Sequence, residues 1–129
     1  MLKQSGFAIS ISSGVIVAKE SDTTLFVADM LKKHNIGAVV ILRKEKIVGI
    51  LSERDIVRKV VCGRLSPQKV LAKEIMTKDV VTVDIREGLN KIHEIMCTVP
   101  FRHLPIVRDG KLIGIVSSRN LIGSAAPKD

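Results

Sequence analysis

The chain has 129 residues, of which 46% are apolar and 26% charged, as in a soluble globular protein and unlike a disordered or fibrous chain. Its longest apolar run, Ile36–Leu42, contains a glycine and is too short to cross a bilayer. Lysine and arginine number 21 against 13 aspartates and glutamates, so the net charge of +8 favours an anionic ligand or partner.

The first half of the chain predicts a strand, a helix, two strands joined by a tight turn, and a second helix. Val15–Ala18 is a β-branched run typical of a strand, and Ser21–Asp22 offers a helix start with Asp22 in the first turn. Asn35–Gly37 ends that helix. The elements expected next are strands at Ala38–Leu42 and Ile47–Leu51, a turn at Arg43–Lys46, a helix from Ser52 to about Val61, and a short helix from Ser66 to about Ala72.

The second half predicts the same order. Val80–Val83 is the strand, Leu89 to Val99 carries an apolar stripe at helical spacing, and Pro100 ends that helix. Leu104–Val107 and Leu112–Val116 are the paired strands, joined at Asp109–Gly110, a strong hairpin signal.

Shifting the chain by 65 residues aligns these halves without a gap, Val15–Arg58 falling on Val80–Gly123. We interpret the chain as a tandem duplication with motifs at 1–64 and 65–129. Because a domain of about 60 residues is only marginally stable, we expect the two motifs to form one compact α+β module. The face-to-face packing of its small sheets would give pseudo-twofold symmetry and a cleft between motifs. The identical pairs are Val15/Val80, Ile41/Ile106, Arg43/Arg108, Lys46/Lys111, Gly49/Gly114, Ile50/Ile115, Ser52/Ser117 and Arg54/Arg119.

The repeated signature runs from Gly49 to Asp55 and from Gly114 to Asn120. A glycine, a strand end and a helix N-terminus make an anion site in which Ser52 offers a hydroxyl, and Asp55 can accept hydrogen bonds from the two hydroxyls of a ribose. A structural interpretation is also open: Ser52 caps the helix and Asp55 complements its dipole.

These residues resemble the CBS (cystathionine-β-synthase) domain, whose paired motifs form a Bateman module. The resemblance covers Val15–Ile122 and implies the α+β CBS fold. Similar modules bind adenosine-type ligands: AMP, ADP, ATP, S-adenosylmethionine or NAD. The segments that carry it are His34–Ala38, Val48–Asp55, Glu74–Thr77, Val80–Val83, Arg102–Val107 and Ile113–Ser117.

The resemblance implies two nucleotide sites, each combining the helix start of one motif with strand and turn residues of the other. Asn120 stands where the pattern has the ribose-binding aspartate, so we expect the twin site to bind more weakly. The main site would use Ser52, Arg54, Asp55, Val81, Phe101, Arg102 and His103. The weaker site would use Ile16, Ile36, Gly37, Ala38, Ser117, Arg119 and Asn120.

Several other functions find little support in the sequence. No nucleophile–base pair, metal-ligand cluster or phosphate-loop spacing predicts an enzyme or a metal site. Cys62 and Cys97 lack partner spacing, which indicates free thiols and a cytoplasmic location. Because the apolar runs are short, we expect no membrane partner. The basic ridge of Arg54, Arg58, Lys59 and Arg64 is typical of a solvated helix face.

We therefore expect a regulatory sensor that binds an adenine nucleotide, forms a homodimer through the helix after Asp55, and acts on an unidentified effector protein. Two alternatives stay open. One is a basic nucleic-acid-binding protein, whose contacts would be phosphate-driven because the chain has three phenylalanines and no Trp or Tyr. The other is a structural dimeric adaptor with inactive ligand sites.

Overall fold

The computed structural model describes residues 2–4, 7–9, 15–98 and 103–117, and shows an α+β protein. From residue 17 to residue 117 the strands and the two long helices follow the predicted order, and two short strands that the sequence did not predict precede them. The strands are β1 Leu2–Gln4, β2 Phe7–Ile9, β3 Val17–Lys19, β4 Ala38–Arg43, β5 Lys46–Ser52, β6 Val83–Asp84, β7 His103–Arg108 and β8 Lys111–Ser117. The helices are α1 Thr24–His34, α2 Glu53–Asp55, a π-helical segment Ile56–Val61, α3 Ala72–Ile75, a 3-10 turn Ile85–Glu87 and α4 Leu89–Thr98.

The chain divides into two compact units. One is Ile16–Val80, and the other combines residues 1–15 with 81–129. The first unit holds the three-stranded sheet β3-β4-β5, and the second holds β6-β7-β8. The segment that follows the first repeat, up to Val80, thus packs with the repeat that precedes it.

The strand register shows the duplication residue by residue. In the first unit Ala18 pairs with Ile41 and Ala38 with Ser52, and in the second Val83 pairs with Ile106 and His103 with Ser117. Every one of these pairs differs from its counterpart by the 65 residues that the sequence indicates. The register shift also recurs, after Ile41 and after Ile106, so even the β-bulge was duplicated.

The β4–β5 and β7–β8 hairpins each close through a two-residue turn in the left-handed region. Lys44 and Glu45 have φ of 48° and 72°, and Asp109 and Gly110 have φ of 51° and 79°. These angles suit a type I′ turn, whose twist matches that of the flanking strands. The second turn uses the residue types that this geometry favours, whereas the first places two long side chains in a conformation that L-residues rarely adopt.

Each unit has its own apolar core. In the first, α1 and the π-helical segment bury Val27, Leu31 and Val60 against Ile41 and Leu51. In the second, α4 buries residues of the predicted stripe against β6, β7 and β8, namely Ile92 and Met96 against Val83, Leu104, Ile106 and Val116. A helix that buries one stripe against a sheet is the arrangement the 3.6-residue spacing predicts.

Two local predictions in the first unit were wrong. Asp22 lies before α1 and accepts the Lys19 amide at 2.8 Å, while Thr23 is the N-cap. Where a helix from Ser66 to about Ala72 was expected, residues 67–69 form a turn, and the helix forms later, at Ala72–Ile75. The reason is tertiary, because the Val70 carbonyl accepts a hydrogen bond from the Thr24 amide and Leu71 forms a β-bridge with Thr23.

Candidate functional site

The N-terminus of α2 follows directly from β5, and a reciprocal set of hydrogen bonds fixes it. The Ser52 hydroxyl accepts the Asp55 amide at 3.1 Å, and Asp55 Oδ2 accepts the Ser52 amide at 3.1 Å. The same hydroxyl donates to Asp55 Oδ2 at 3.1 Å. This is a capping box, built from a serine and a carboxylate three residues later.

These bonds determine what the pair can offer a ligand. A hydroxyl group can donate one hydrogen bond, and Ser52 donates its own to Asp55. Ser52 therefore offers a ligand a lone pair and no donor. Asp55 Oδ2 accepts two hydrogen bonds from Ser52, one from its amide and one from its hydroxyl, so Oδ1 is the carboxylate oxygen that Ser52 does not bond. The pair in this state therefore accepts hydrogen bonds, as a diol requires, and does not donate to a phosphate.

Residues that the sequence assigned to two different sites lie side by side in the first unit. Ala38 pairs with Ser52 in register, and the Gly37 carbonyl accepts the Glu53 amide at 2.9 Å. Ile36 packs partly buried on the core just before them. The start of β4 and the start of α2 are thus adjacent, and residues 36–38 and 52–53 form the Ser52 border next to Asp55. Arg54 is an exposed cation beside this border.

The second unit repeats part of this arrangement. His103 begins β7 opposite Ser117, which ends β8, and Val81 packs against the second core. In the first unit Ile16 packs against the core in the same way. Four predicted site residues lie outside the described part of the chain: Phe101, Arg102, Arg119 and Asn120. The assignment of residues to two nucleotide sites stays a prediction.

Gly49, the signature glycine of the first motif, is in close contact with the segment that follows α3. A Cβ at this position would lie 2.5 Å from Met76 Sδ, 2.7 Å from Met76 Cγ and 3.0 Å from the Thr77 carbonyl oxygen. The next residue of β5, Ile50, exchanges both backbone hydrogen bonds with Thr77, at 3.0 and 2.8 Å. Glycine is therefore required here because another backbone passes over the strand.

Lys59 was interpreted from the sequence as part of a solvated ridge, and the structure gives it specific partners. Its ammonium donates to the Ile75 carbonyl at 2.8 Å and lies 3.4 Å from Asp55 Oδ1. An aspartate and a lysine four residues apart on a helix are a common ion pair, so the sequence carried a signal for the contact between Asp55 and Lys59. Nothing in the local sequence points to Ile75.

Ion pairs lie at the hairpin end of both three-stranded sheets. In the first unit the Arg43 guanidinium hydrogen-bonds Glu20 at 2.6 and 3.1 Å and holds the pKa of that carboxyl below its ordinary value. In the second, Arg86 bonds Asp84 at 3.0 Å and Asp109 at 2.8 Å, and its hydrogen bonds hold the pKa of Asp84 well below the usual range. In the first unit this charge pair lies at the opposite end of β4 from the Ser52 border.

The described residues show little sign of metal or membrane chemistry. Among them, no three His, Cys, Asp or Glu side chains group closely enough to hold a metal ion, and no helix is long and apolar enough to span a bilayer. Cys62 and Cys97 are exposed free thiols.

The chain belongs to the CBS domain family, which matches residues 8–62 and 72–126 and so covers both repeats. CBS domain pairs are generally regulatory modules.

Proteins of several organisms are similar to the chain. Uncharacterized proteins of Methanopyrus kandleri and Acidianus ambivalens are 39% and 40% identical over 84% and 83% of it. The chain spans 56% and 65% of their respective lengths. The crystal structure of a CBS-domain-containing protein from Agrobacterium tumefaciens has a TM-score of 0.73 at 30% identity, over 84% of this chain and 86% of that one.

Proposed function

We propose that this CBS pair is a sensor that binds an adenosine-type nucleotide, AMP, ADP or ATP or else NAD or S-adenosylmethionine, and signals to an effector protein. The observation that carries the proposal is the set of acceptors at the start of α2. Asp55 Oδ1 and the remaining lone pair of Ser52 accept hydrogen bonds, which suits the two hydroxyls of a ribose. The exposed Arg54, next in the chain to Asp55, supplies a cation for phosphate.

The partial burial of Asp55 supports a binding role. Its side chain is 17% exposed, so it is accessible to a ligand yet partly shielded from bulk water. A hydrogen bond to a charged acceptor in such a place contributes roughly 1.5–3 kcal/mol.

Calorimetric titration with AMP, ATP, NADH and S-adenosylmethionine tests the proposal. We expect Asp55→Ala to weaken nucleotide binding about 10- to 100-fold, since each 1.4 kcal/mol is about a factor of ten. Asn120→Ala is the matched control, and should change affinity little because an amide has one carbonyl acceptor and no charge. Both variants should fold, since the Ser52 hydroxyl still accepts the residue 55 amide without its side chain.

Three results would contradict this assignment. They are an Asp55→Ala variant that binds as wild type does, loss of binding in Asn120→Ala alone, and absence of binding by the wild type. The last result would favour an adaptor with inactive sites.

We further propose that the module forms a homodimer through the helix that follows Asp55. Val57 and Val61 are 53% and 64% exposed and lie one helical turn apart, followed by the exposed Leu65. A second copy would remove this apolar stripe from water. Light scattering of the wild type should give twice the mass of one chain. The double variant Val57→Lys/Val61→Lys should give the mass of one chain, whereas Lys44→Glu on the hairpin turn should keep the mass of the dimer. A monomeric wild type at micromolar concentration would refute the dimer.

The net charge of +8 supports nucleic-acid binding as a second candidate function. Such binding would rest on phosphate contacts and should weaken steeply between low and physiological salt. Tight, sequence-selective binding that survives higher salt would displace the nucleotide sensor as the primary function.

A further inference from the structure

Lys59 joins three segments of the first unit at one ammonium group. It stands in the π-helical segment, one turn after Asp55, and its Nζ lies 3.4 Å from Asp55 Oδ1. The same Nζ donates a 2.8 Å hydrogen bond to the carbonyl oxygen of Ile75. Ile75 is the last residue of α3, where a carbonyl has no partner within the helix and carries the negative end of the helix dipole.

The Ile75 carbonyl is close in the chain to the strand-like contact that follows α3. Thr77, two residues later, exchanges both backbone hydrogen bonds with Ile50 of β5. β5 leads through Ser52 back to Asp55, so covalent and hydrogen bonds close a ring that contains the proposed ribose acceptor. Removing the ammonium opens this ring at both contacts of Lys59, with Asp55 Oδ1 and with the Ile75 carbonyl.

We propose that Lys59 is a positioning residue of the nucleotide site, an inference that rests on the function proposed above. It orients Asp55 Oδ1, the carboxylate oxygen that Ser52 does not bond, and couples the position of that oxygen to the segment Met76–Thr77. Occupancy of the site would then be transmitted to the linker, residues 72–79, which lie between the aligned repeats Val15–Arg58 and Val80–Gly123. The π-helical segment fits this role, because π-helical turns interrupt the regular α-helical register and occur frequently at functional sites.

The first experiment uses no nucleotide and tests the connection to the linker. Lys59→Met keeps an unbranched apolar stem and removes the charge, and Arg58→Met is the matched control because Arg58 is an exposed cation at the adjacent position. Amide hydrogen exchange is measured at Thr77 and Ile50. We expect exchange to speed up roughly two- to tenfold in Lys59→Met, the range that one hydrogen bond gives, and to stay near wild type in Arg58→Met. Equal exchange in the two variants would overturn the linker connection.

The second experiment measures AMP affinity by calorimetry in the same proteins and in Lys59→Arg. We expect Lys59→Met to bind AMP several-fold more weakly than Arg58→Met, although both lose one positive charge. Lys59→Arg should recover part of the affinity. Saturating AMP should slow Thr77 exchange in the wild type and leave it unchanged in Lys59→Met, a response that a purely structural lysine would not control.

The outcomes separate this proposal from the function on which it rests. If the wild type binds AMP and Lys59→Met binds it equally well, the positioning role is wrong while the proposed function stands. If the wild type binds none of AMP, ATP, NADH and S-adenosylmethionine, the proposed function is wrong. The role of Lys59 in ligand binding is then wrong as well. In either case, the rate of amide hydrogen exchange at Thr77 without nucleotide shows whether Lys59 is connected to the linker.

Discussion

Replacing Gly49 by alanine should destabilise the first unit by forcing apart two segments that are in close contact. The added Cβ would lie 2.5 Å from Met76 Sδ, about 1 Å inside an ordinary van der Waals contact. Met76 is flexible but buried in the core, and the Thr77 carbonyl on the other side, 3.0 Å away, belongs to a segment that Ile50 holds by two backbone hydrogen bonds. Neither neighbour can move without breaking a contact.

Overpacking of this kind costs typically about 1–3 kcal/mol. For a chain of this size we expect the Tm to fall by roughly 3–5 °C for each kcal/mol, and thus by about 8 °C for a cost of about 2 kcal/mol. Thermal unfolding followed by circular dichroism, without nucleotide and at one fixed protein concentration, measures the shift.

A double-mutant cycle with Met76→Ala separates steric overlap from loss of backbone freedom. Met76→Ala alone should cost about 2–5 kcal/mol through the cavity it leaves. If steric overlap is the cause, the double variant should be more stable than the sum of the single effects by roughly 1–2 kcal/mol. Strict additivity, or a Gly49→Ala variant with the wild-type Tm, would refute the steric reasoning.

Two further predictions concern the hairpin ends. Glu45→Gly should raise stability by about 1 kcal/mol, because Glu45 has a φ of 72° that glycine adopts without strain, and chemical denaturation checks the direction; a lower midpoint would contradict it. Asp84→Asn should reduce the acid sensitivity of folding. Arg86 lowers the pKa of Asp84 in the folded state, so this carboxylate contributes stability above its unfolded pKa of about 4 that is lost as pH falls through the folded pKa. Unfolding curves of both proteins between pH 7 and pH 2 measure this, and parallel pH profiles would contradict it.

The sequence alone determined the features that depend on local pattern and on duplication. The 65-residue shift predicted both three-stranded sheets, and the register pairs Ala38–Ser52 and His103–Ser117 differ by that same shift. The Asp109–Gly110 dipeptide predicted its turn because only a few residue types adopt left-handed angles readily. Ser52 indicated a helix start because an N-cap is also a local signal, in which the side chain bonds an amide only three residues later.

Tertiary structure decided the features that depend on residues distant in the chain. Residues 66–71 are not helical because Val70 and Leu71 bond the start of α1, more than forty residues earlier. The ammonium of Lys59 finds the Ile75 carbonyl only after the linker folds back onto β5. Local propensity is a weak free-energy term, of at most about 1 kcal/mol per ordinary residue, so backbone hydrogen bonds and burial from another segment override it. The same sequence segment that looked like a solvated basic ridge therefore contains a side chain held between Asp55 and the linker.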